Sequence, residues 1–549
     1  VAGLAATLGS GAMTNSLEDV VNSKVILVIG SNTTRNHPVF GALIKQAVKH
    51  HGAKLIVCDP RRIDLIDFAD IWLQQRNGSD VALLSGIQRI ILNEGWEAKE
   101  YLRERTEGFD EYRKSLEFYT PEKVEELTGV KAADLYAAAR LFANSGVGSL
   151  YYCMGITQHS HGVDNVKACV NLQLITGNLG VEGGGVNPLR GQNNVQGACD
   201  MGGLPNVFTG YQPVNNPAAL EKFSKYWNVA TLSDKVGMTL TQMIPAAGDK
   251  IRAIYVLGEN PMVSDPNLHH VEESLKKLDL LVVQDIFLTE TAKMADVVLP
   301  GVSFAEKYGT ISNTERRVQL TNQAIKPTGN VRQDYEIIAD IAACLGHQDF
   351  PRTPEALFKE VRDLTPAYAG ITYDRIREVG IPWPCPNEEH PGTPILHKGK
   401  FSRGLALLTA LEYRPPAEES DADYDLVMST GRILEHFHTG SMTRRSAILE
   451  SLVGCGHVEM HPDDAAKHGI CDGDKVAVLT RRGRIETKAL LTEKVARGSI
   501  FVPFHFAEAA ANQLTNDALD PVAKIPEFKV CAARIERVST SGCGCSGKC

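Results

Sequence analysis

The chain has 549 residues, 43% of them hydrophobic and 22% charged, with a formal net charge of −9. That balance excludes nucleic acid as a main partner, because phosphate recognition needs a basic face. No stretch reaches the ~18–20 consecutive apolar residues of a transmembrane segment, and twelve cysteines over this length are too sparse and irregular for a disulfide framework, which fits a cytoplasmic protein.

From about residue 24 to 300 the pattern is α/β. Short apolar strands are expected at Val25–Ile29, Leu55–Val57, Leu150–Cys153, Ala253–Leu257 and Leu280–Gln284, alternating with helical patterns such as Val163–Leu174 and Leu268–Leu278. Strands that are apolar on both faces and separated by helices predict parallel sheets. Residues 331–423 read as helical and then proline-rich (Pro382, Pro384, Pro386, Pro391, Pro394, Pro415, Pro416), a long linker. Beyond Tyr424, runs at Leu426–Thr430, Lys475–Thr480, Ile485–Leu491 and Ser499–Phe504 between Gly/Asp turns predict a compact β-barrel. The expected organisation is a first α/β domain over 1–150, a second over 151–423 that ends in the linker, a barrel over 424–538 and a Cys/Gly-rich tail over 539–549. Cys543, Cys545 and Cys549 in that tail read either as a metal or redox tether or as a glycine-rich, disordered end.

An internal repeat is the most informative pattern. VILVIGSN, a helix, KLIVCDP and ADIWL are followed some 230 residues on by AIYVLGEN, a helix, LLVVQDI and ADVVLP. Gly30 precedes Asp59 by 29 residues and Asp59 precedes Asp70 by 11; Gly258 precedes Asp285 by 27 and Asp285 precedes Asp296 by 11. Two βαβ units follow, each with a glycine ending its first strand, where a ligand can approach the backbone, and an acid ending its second. The carboxylates suit ribose hydroxyls or the donor edge of guanine; alternatively Asp59 and Asp285 act only as helix caps. Neither copy carries a full GxGxxG, so an ordinary NAD site is not indicated.

The stretch 183–203, GGGVNPLRGQNNVQGACDMGG, is rich in glycine and amide side chains, with almost nothing to fill a core. Such a segment offers backbone N–H groups and amides to a large polar ligand. Arg190, its only cation, presents two parallel donors that match a carboxylate; the other reading is a flexible surface loop with Arg190 solvated or paired to an acid.

VNPLRGQNNVQGACDMG, preceded by MGITQHSHG and NLQLITGNLG, resembles the signature of formate dehydrogenase catalytic subunits in the molybdopterin oxidoreductase superfamily. The resemblance extends through KLIVCDPRR, RTEGFDEYR, YTPEKVEELTGV, VVQDIFLTETA with ADVVLP, GITYDRIREVGIPWPC and the closing PEFK, and so covers residues 1 to about 538. It implies two α/β domains and a barrel of double-psi type around two molybdopterin guanine dinucleotides (bis-MGD) holding one Mo or W. Gly30, Asn32, Asp59 and Arg61 would serve one dinucleotide, and Gly258, Glu259, Gln284 and Asp285 the other. Gly155 and Gln158 would lie near the pterins, Gly191 beside the cofactor, and Arg432, His436, Asn512 and Lys529 would close over it from the barrel. Arg190 would anchor formate for oxidation to CO2, with Gln192 in the same motif, while His159 and His161 would be hydrogen-bonding residues rather than metal ligands.

The family also carries an amino-terminal [4Fe–4S] domain and a cysteine or selenocysteine metal ligand followed by histidine. Both are expected upstream of Val1, with selenocysteine as the expected ligand. Electrons would pass to a separate iron–sulfur or flavin subunit, a hydrogenase or a deazaflavin-linked partner. The competing expectations are a nitrate reductase of the same superfamily and a scaffold subunit without a metal.

Overall fold

The computed structural model describes residues 1–538; the cysteines of the 539–549 tail lie outside the described residues. The chain divides into two compact units. One holds residues 1–191, 263–269 and 395 onward, and the other 192–262 and 270–394.

The first unit is built on a parallel sheet of β1 (Val25–Ile29), β2 (Lys54–Cys58), β3 (Ile71–Leu73), β4 (Gly148–Tyr152) and β5 (Val186–Pro188), ordered β3-β2-β1-β4-β5. Every residue of β1 is buried. Alternate residues serve opposite faces. Ile26, Val28, Leu55, Val57 and Tyr151 join Phe40, Ile44 and Ala47 of the helix Pro38–His51. Val25, Leu27, Ile29, Ile56, Leu150 and Tyr152 join the helices Asp80–Asn93, Ala132–Asn144 and Gly162–Ile175 on the other side. At about 1.5–3 kcal/mol per buried aliphatic side chain, this two-faced burial is what holds a parallel sheet together. The expected boundary at residue 150 falls inside β4, whose register with β1 makes it part of the first sheet.

The second unit carries β6 (Ala253–Leu257), β7 (Leu280–Asp285) and β8 (Val297–Pro300), parallel and ordered β8-β7-β6, as β3-β2-β1 are in the first. The repeat extends to individual hydrogen bonds. The Gly30 N–H donates to the Cys58 carbonyl at 3.0 Å and that of Gly258 to the Gln284 carbonyl at 2.8 Å. The Asp70 carboxylate accepts the Leu55 N–H at 2.9 Å, and the Asp296 carboxylate that of Leu281 at 2.7 Å. One expectation changes: this sheet is apolar on both sides but buried on one. Val256, Leu281 and Val283 are buried, while Tyr255, Leu257, Leu280 and Val297 stay 40–48% exposed.

β9 (Leu426–Gly431), β10 (His457–Met460), β11 (Lys475–Leu479), β12 (Arg484–Leu491), β13 (Ser499–Pro503) and β14 (Cys531–Arg537) close into a six-stranded barrel within the first unit, ordered β9-β13-β10-β12-β11-β14. Its parallel pairs are β9 with β13 and β10 with β12; the other pairings are antiparallel. Leu426, Met428, Val458, Met460, Val476, Val478 and Ile500 fill its interior.

The proline-rich stretch is not a free linker. Phe401, Ala406, Leu408 and Leu411 are buried in the core of the first unit. Asn171 donates to the Thr409 carbonyl at 2.8 Å and accepts the Thr409 N–H at 3.1 Å. In the second unit the indole N–H of Trp383 donates to Asp200 at 2.8 Å. Prolines exclude helix there, but the interspersed large apolar side chains gain from burial all the same.

Candidate functional site

The order β3-β2-β1-β4-β5 reverses between β1 and β4, and ligands of open α/β sheets bind where strands diverge, beyond their carboxyl ends. Here the diverging strands end in two glycines pressed together. The Gly155 N–H donates to the Gly30 carbonyl at 3.0 Å. A Cβ on Gly30, whose φ is +56°, would stand 2.8 Å from the Gly155 carbonyl carbon. Around this point lies a cleft with about 970 Å³ of empty space, its open mouth included. Asn32 and Asn36 line it after β1, Asp59 and Arg61 after β2, Gln75–Gly78 and Asp80 after β3, and Cys153–Gly155 and His159 after β4. The barrel supplies Ser429–Arg432, Ser499–Phe501 and Lys529.

The walls are polar but poorly satisfied by the protein itself. Asn32 Oδ1, Asn36 Oδ1, Gln75 Oε1 and His159 Nδ1 are buried without a hydrogen-bond partner, as are Ser31 Oγ and His37 Nδ1 next to the lining residues. Each such atom costs about 1–3 kcal/mol, so a cluster of them points to a polar ligand that satisfies them together. The charges agree. Burial pulls the Arg432 guanidinium below its ordinary pKa. Lys529 is pushed down to about 8, first by burial and then by the charge of Arg432. Lys529 Nζ donates to the Thr430 carbonyl at 2.5 Å. Neither cation is in an ion pair with a carboxylate among the described residues, so both are available to an anionic group.

Arg61 is arranged differently. Its guanidinium grips Glu459 of the barrel through two hydrogen bonds, 2.9 and 2.5 Å, and lies 4.0 Å over the Phe501 ring. It therefore ties the end of β2 to β10 and β13, and presents its remaining edge to the cleft. Asp59 accepts the Arg61 N–H at 3.0 Å. Burial raises its carboxyl to about 6, against the opposing pull of Arg61 and Lys529.

Asp80, which sequence reasoning missed, is 4% exposed and pushed up to about 7; burial dominates, the Gln75 amide opposes, and the charge of Asp59 adds. The folded chain thus holds this proton more tightly than the unfolded chain, whose carboxyl titrates near 4. Stability from Asp80 is fully present below that value and is lost as pH rises towards 7. Asp80→Asn, which mimics the protonated acid, is expected to gain about 2–3 kcal/mol over wild type between pH 5 and pH 8 in cofactor-free protein. Denaturant unfolding at the two pH values measures this, and parallel curves would show that Asp80 is not the titrating group.

Other expected site residues lie elsewhere. Arg190 follows β5; His37 Nε2 donates to its carbonyl at 2.6 Å and its guanidinium donates to the Gly11 carbonyl at 3.3 Å. A Cβ on Gly191 would meet the Arg432 guanidinium at 3.3 Å, which places the end of the Arg190 segment beside the cleft. Gln158 ends the turn Met154–Thr157, outside the cleft lining. Both ring nitrogens of His436 are engaged, by Thr443 Oγ1 at 3.2 Å and the Val453 carbonyl at 2.6 Å. Asn512 holds the Val263 and Ser264 carbonyls at 2.8 and 3.0 Å.

In the second unit, Gln192 opens the segment leading to the helix Val195–Asp200. Gly258 has a φ of +62° with open space around it, and Glu259 beside it is exposed. The Gln284 amide donates to Asp334 at 2.7 Å and accepts from the Tyr255 hydroxyl. Asp285 caps its own turn by accepting the Ile286 N–H at 2.6 Å. Within the signature stretch, Asp200 is buried and accepts from Tyr368, Trp383, Tyr211 and Gln196, a lock rather than a ligand.

Comparison with known proteins bears directly on this cleft. The molybdopterin oxidoreductase family model matches residues 4–344, and the molybdopterin dinucleotide binding domain matches residues 426–532. The chain belongs to the molybdopterin oxidoreductase family. It is 49% identical over 98% of its length to the alpha subunit of F420-dependent formate dehydrogenase 1 of Methanococcus maripaludis, covering 80% of that protein. The corresponding F420-dependent subunit of Methanocaldococcus jannaschii is 50% identical over the same shares. Formate dehydrogenase H of Escherichia coli is 38% identical over 98% of this chain and 76% of its own. Among solved structures, acetylene hydratase of Pelobacter acetylenicus superposes with a TM-score of 0.78 over 98% of this chain and 80% of that one; at 22% identity the likeness is one of fold.

The residues present fit a dinucleotide of this family. Two carboxyls (Asp59, Asp80) suit a purine donor edge, two cations without carboxylate partners (Arg432, Lys529) suit phosphate, and the orphaned amides and histidine suit a heterocycle's mixed edge. The only signal for Asp80 in the sequence is NGSD before an apolar helix, and an acid in a helix's first turn is so common that it singles out nothing.

Proposed function

We propose that the chain is the cofactor-binding catalytic part of a formate dehydrogenase, which oxidises formate to CO2 with release of two electrons and one proton. The observation that carries this reading is the 49–50% identity to formate dehydrogenase alpha subunits across 98% of the chain. The cofactor is bis-MGD with one Mo or W, which when bound supplies the two-electron acceptor at the reacting carbon. Asp59, Asp80, Arg432 and Lys529 hold one dinucleotide in the first unit, and Gly258, Glu259 and Asp285 contribute to holding the other. Arg190 would bind the formate carboxylate through parallel N–H donors, offset its charge and fix its orientation. Gln192 adds a polar contact from the same motif.

Electrons pass to an iron–sulfur or flavin partner subunit; the relatives named for F420 favour a deazaflavin-linked one. No helix among the described residues is long and apolar enough to cross a membrane. The sparse, irregularly spaced cysteines support a cytoplasmic setting.

The test is elemental and pterin analysis of the native protein purified without oxygen, with dye reduction assayed on formate and on nitrate plus a reduced dye. About two pterins and one Mo or W with formate-specific turnover are expected. Metal-free, pterin-free protein, or nitrate turnover alone, refutes the reading.

A further inference from the structure

Arg432 begins the long segment between β9 and β10, and three consecutive side chains after β13 hold the start of that segment. The Arg432 guanidinium lies 5.3 Å over the Phe504 ring, and Phe506 lies 4.8 Å under Arg444 and edge-on to His436 at 5.4 Å. Between them His505 is fully buried. Its Nε2 accepts the Ile433 N–H at 3.0 Å, and its Nδ1 meets the His438 carbonyl in a short contact. A carbonyl only accepts, so Nδ1 carries the proton, and Nε2 is left with the lone pair that Ile433 requires. The ring is neutral, in one tautomer, and spans the segment at two points five residues apart, the first adjoining Arg432. Burial holds its pKa near 3, the hydrogen bond to the His438 carbonyl opposes this, and Arg432, His436 and His438 add to the lowering. Gly440 seats the far side of the loop, where a Cβ would come within 2.6 Å of the His505 carbonyl oxygen.

We infer that His505 is a positioning residue that fixes, through Ile433 and His438, the backbone from which Arg432 reaches the cleft beside Gly191. This rests on the reading of the cleft as the cofactor site of a formate-oxidising enzyme. The ring acts as a rigid spacer with one donor end and one acceptor end, a pairing that a glutamine amide reproduces and an aliphatic side chain does not.

The test uses the loaded native enzyme carrying His505→Gln or His505→Leu, with metal and pterin content measured beside formate kinetics. His505→Gln is expected to keep KM for formate within about threefold of wild type. His505→Leu is expected to raise KM about tenfold, with a smaller change in kcat, both taken per bound pterin because cofactor retention also falls. Should the leucine variant not fold, His505→Asn replaces it, because its shorter amide keeps the polarity but cannot reach both partners. A leucine or asparagine variant with wild-type KM overturns the inference, as does a glutamine variant as impaired as leucine at full load. If the loaded wild type does not oxidise formate, the functional reading fails instead. The role of His505 is then read from pterin retention on gel filtration, which leucine should reduce and glutamine preserve; equal retention overturns it.

Discussion

Arg190→Gln is expected to lower kcat/KM for formate by about 10²–10³-fold while leaving metal and pterin content unchanged. Truncating one partner of a close, hydrogen-bonded charge pair costs about 2–5 kcal/mol, and each 1.36 kcal/mol is tenfold in rate. The backbone at Arg190 is fixed independently of its side chain. The Leu189 N–H donates to the Tyr152 carbonyl at 2.8 Å and His37 holds the Arg190 carbonyl, so the substitution removes a charge without releasing the strand. Arg190→Lys keeps the charge but loses the parallel donors, and should fall between the two. Steady-state kinetics on fully loaded enzyme decide this; unchanged kcat/KM in Arg190→Gln would place the carboxylate elsewhere.

Gly30→Ala is expected to destabilise the chain by about 3 kcal/mol or more and to abolish cofactor retention, whereas the equivalent Gly258→Ala should cost about 1 kcal/mol. Both glycines sit at positive φ, which penalises any Cβ by about 1–2 kcal/mol. Only at Gly30 does the Cβ also meet immovable backbone, 2.8 Å from Gly155 and Ile156; at Gly258 nothing lies within 4 Å. Overpacking of that kind adds about 1–3 kcal/mol and pries apart β1 and β4 where the dinucleotide should lie. Denaturant unfolding and pterin content of both variants measure the contrast, and equal losses would show that the close approach carries no weight.

That contrast also marks how far the sequence could be read. The duplicated glycine–acid spacing announced two βαβ units, because strand and crossover lengths fix it, and the hydrogen bonds of Asp70 and Asp296 repeat it faithfully. Spacing could not distinguish a glycine pressed on backbone from one facing open space. Asp80 and Gln75 were illegible for a related reason: they become part of a site only when the ends of β1 to β4 line one cleft and the barrel roofs it. β10 and β14 escaped notice because HVEM is short and CAARIER is alanine-rich, so pairing in a closed barrel, not intrinsic preference, makes them strands. The prolines near residue 390 were read for what they forbid, while Trp383 and Phe401 nearby decided where the chain goes.

The clamp between Arg61 and Glu459 joins residues 398 positions apart, and the cleft it roofs takes one wall from residues up to His159 and the other from Ser429 onward. During synthesis at ~5–20 residues per second, roughly a quarter of a minute to a minute separates emergence of the two walls. The clamp therefore acts as a latch across the whole chain: the cleft has its second wall only once a segment nearly four hundred residues downstream has folded against the first.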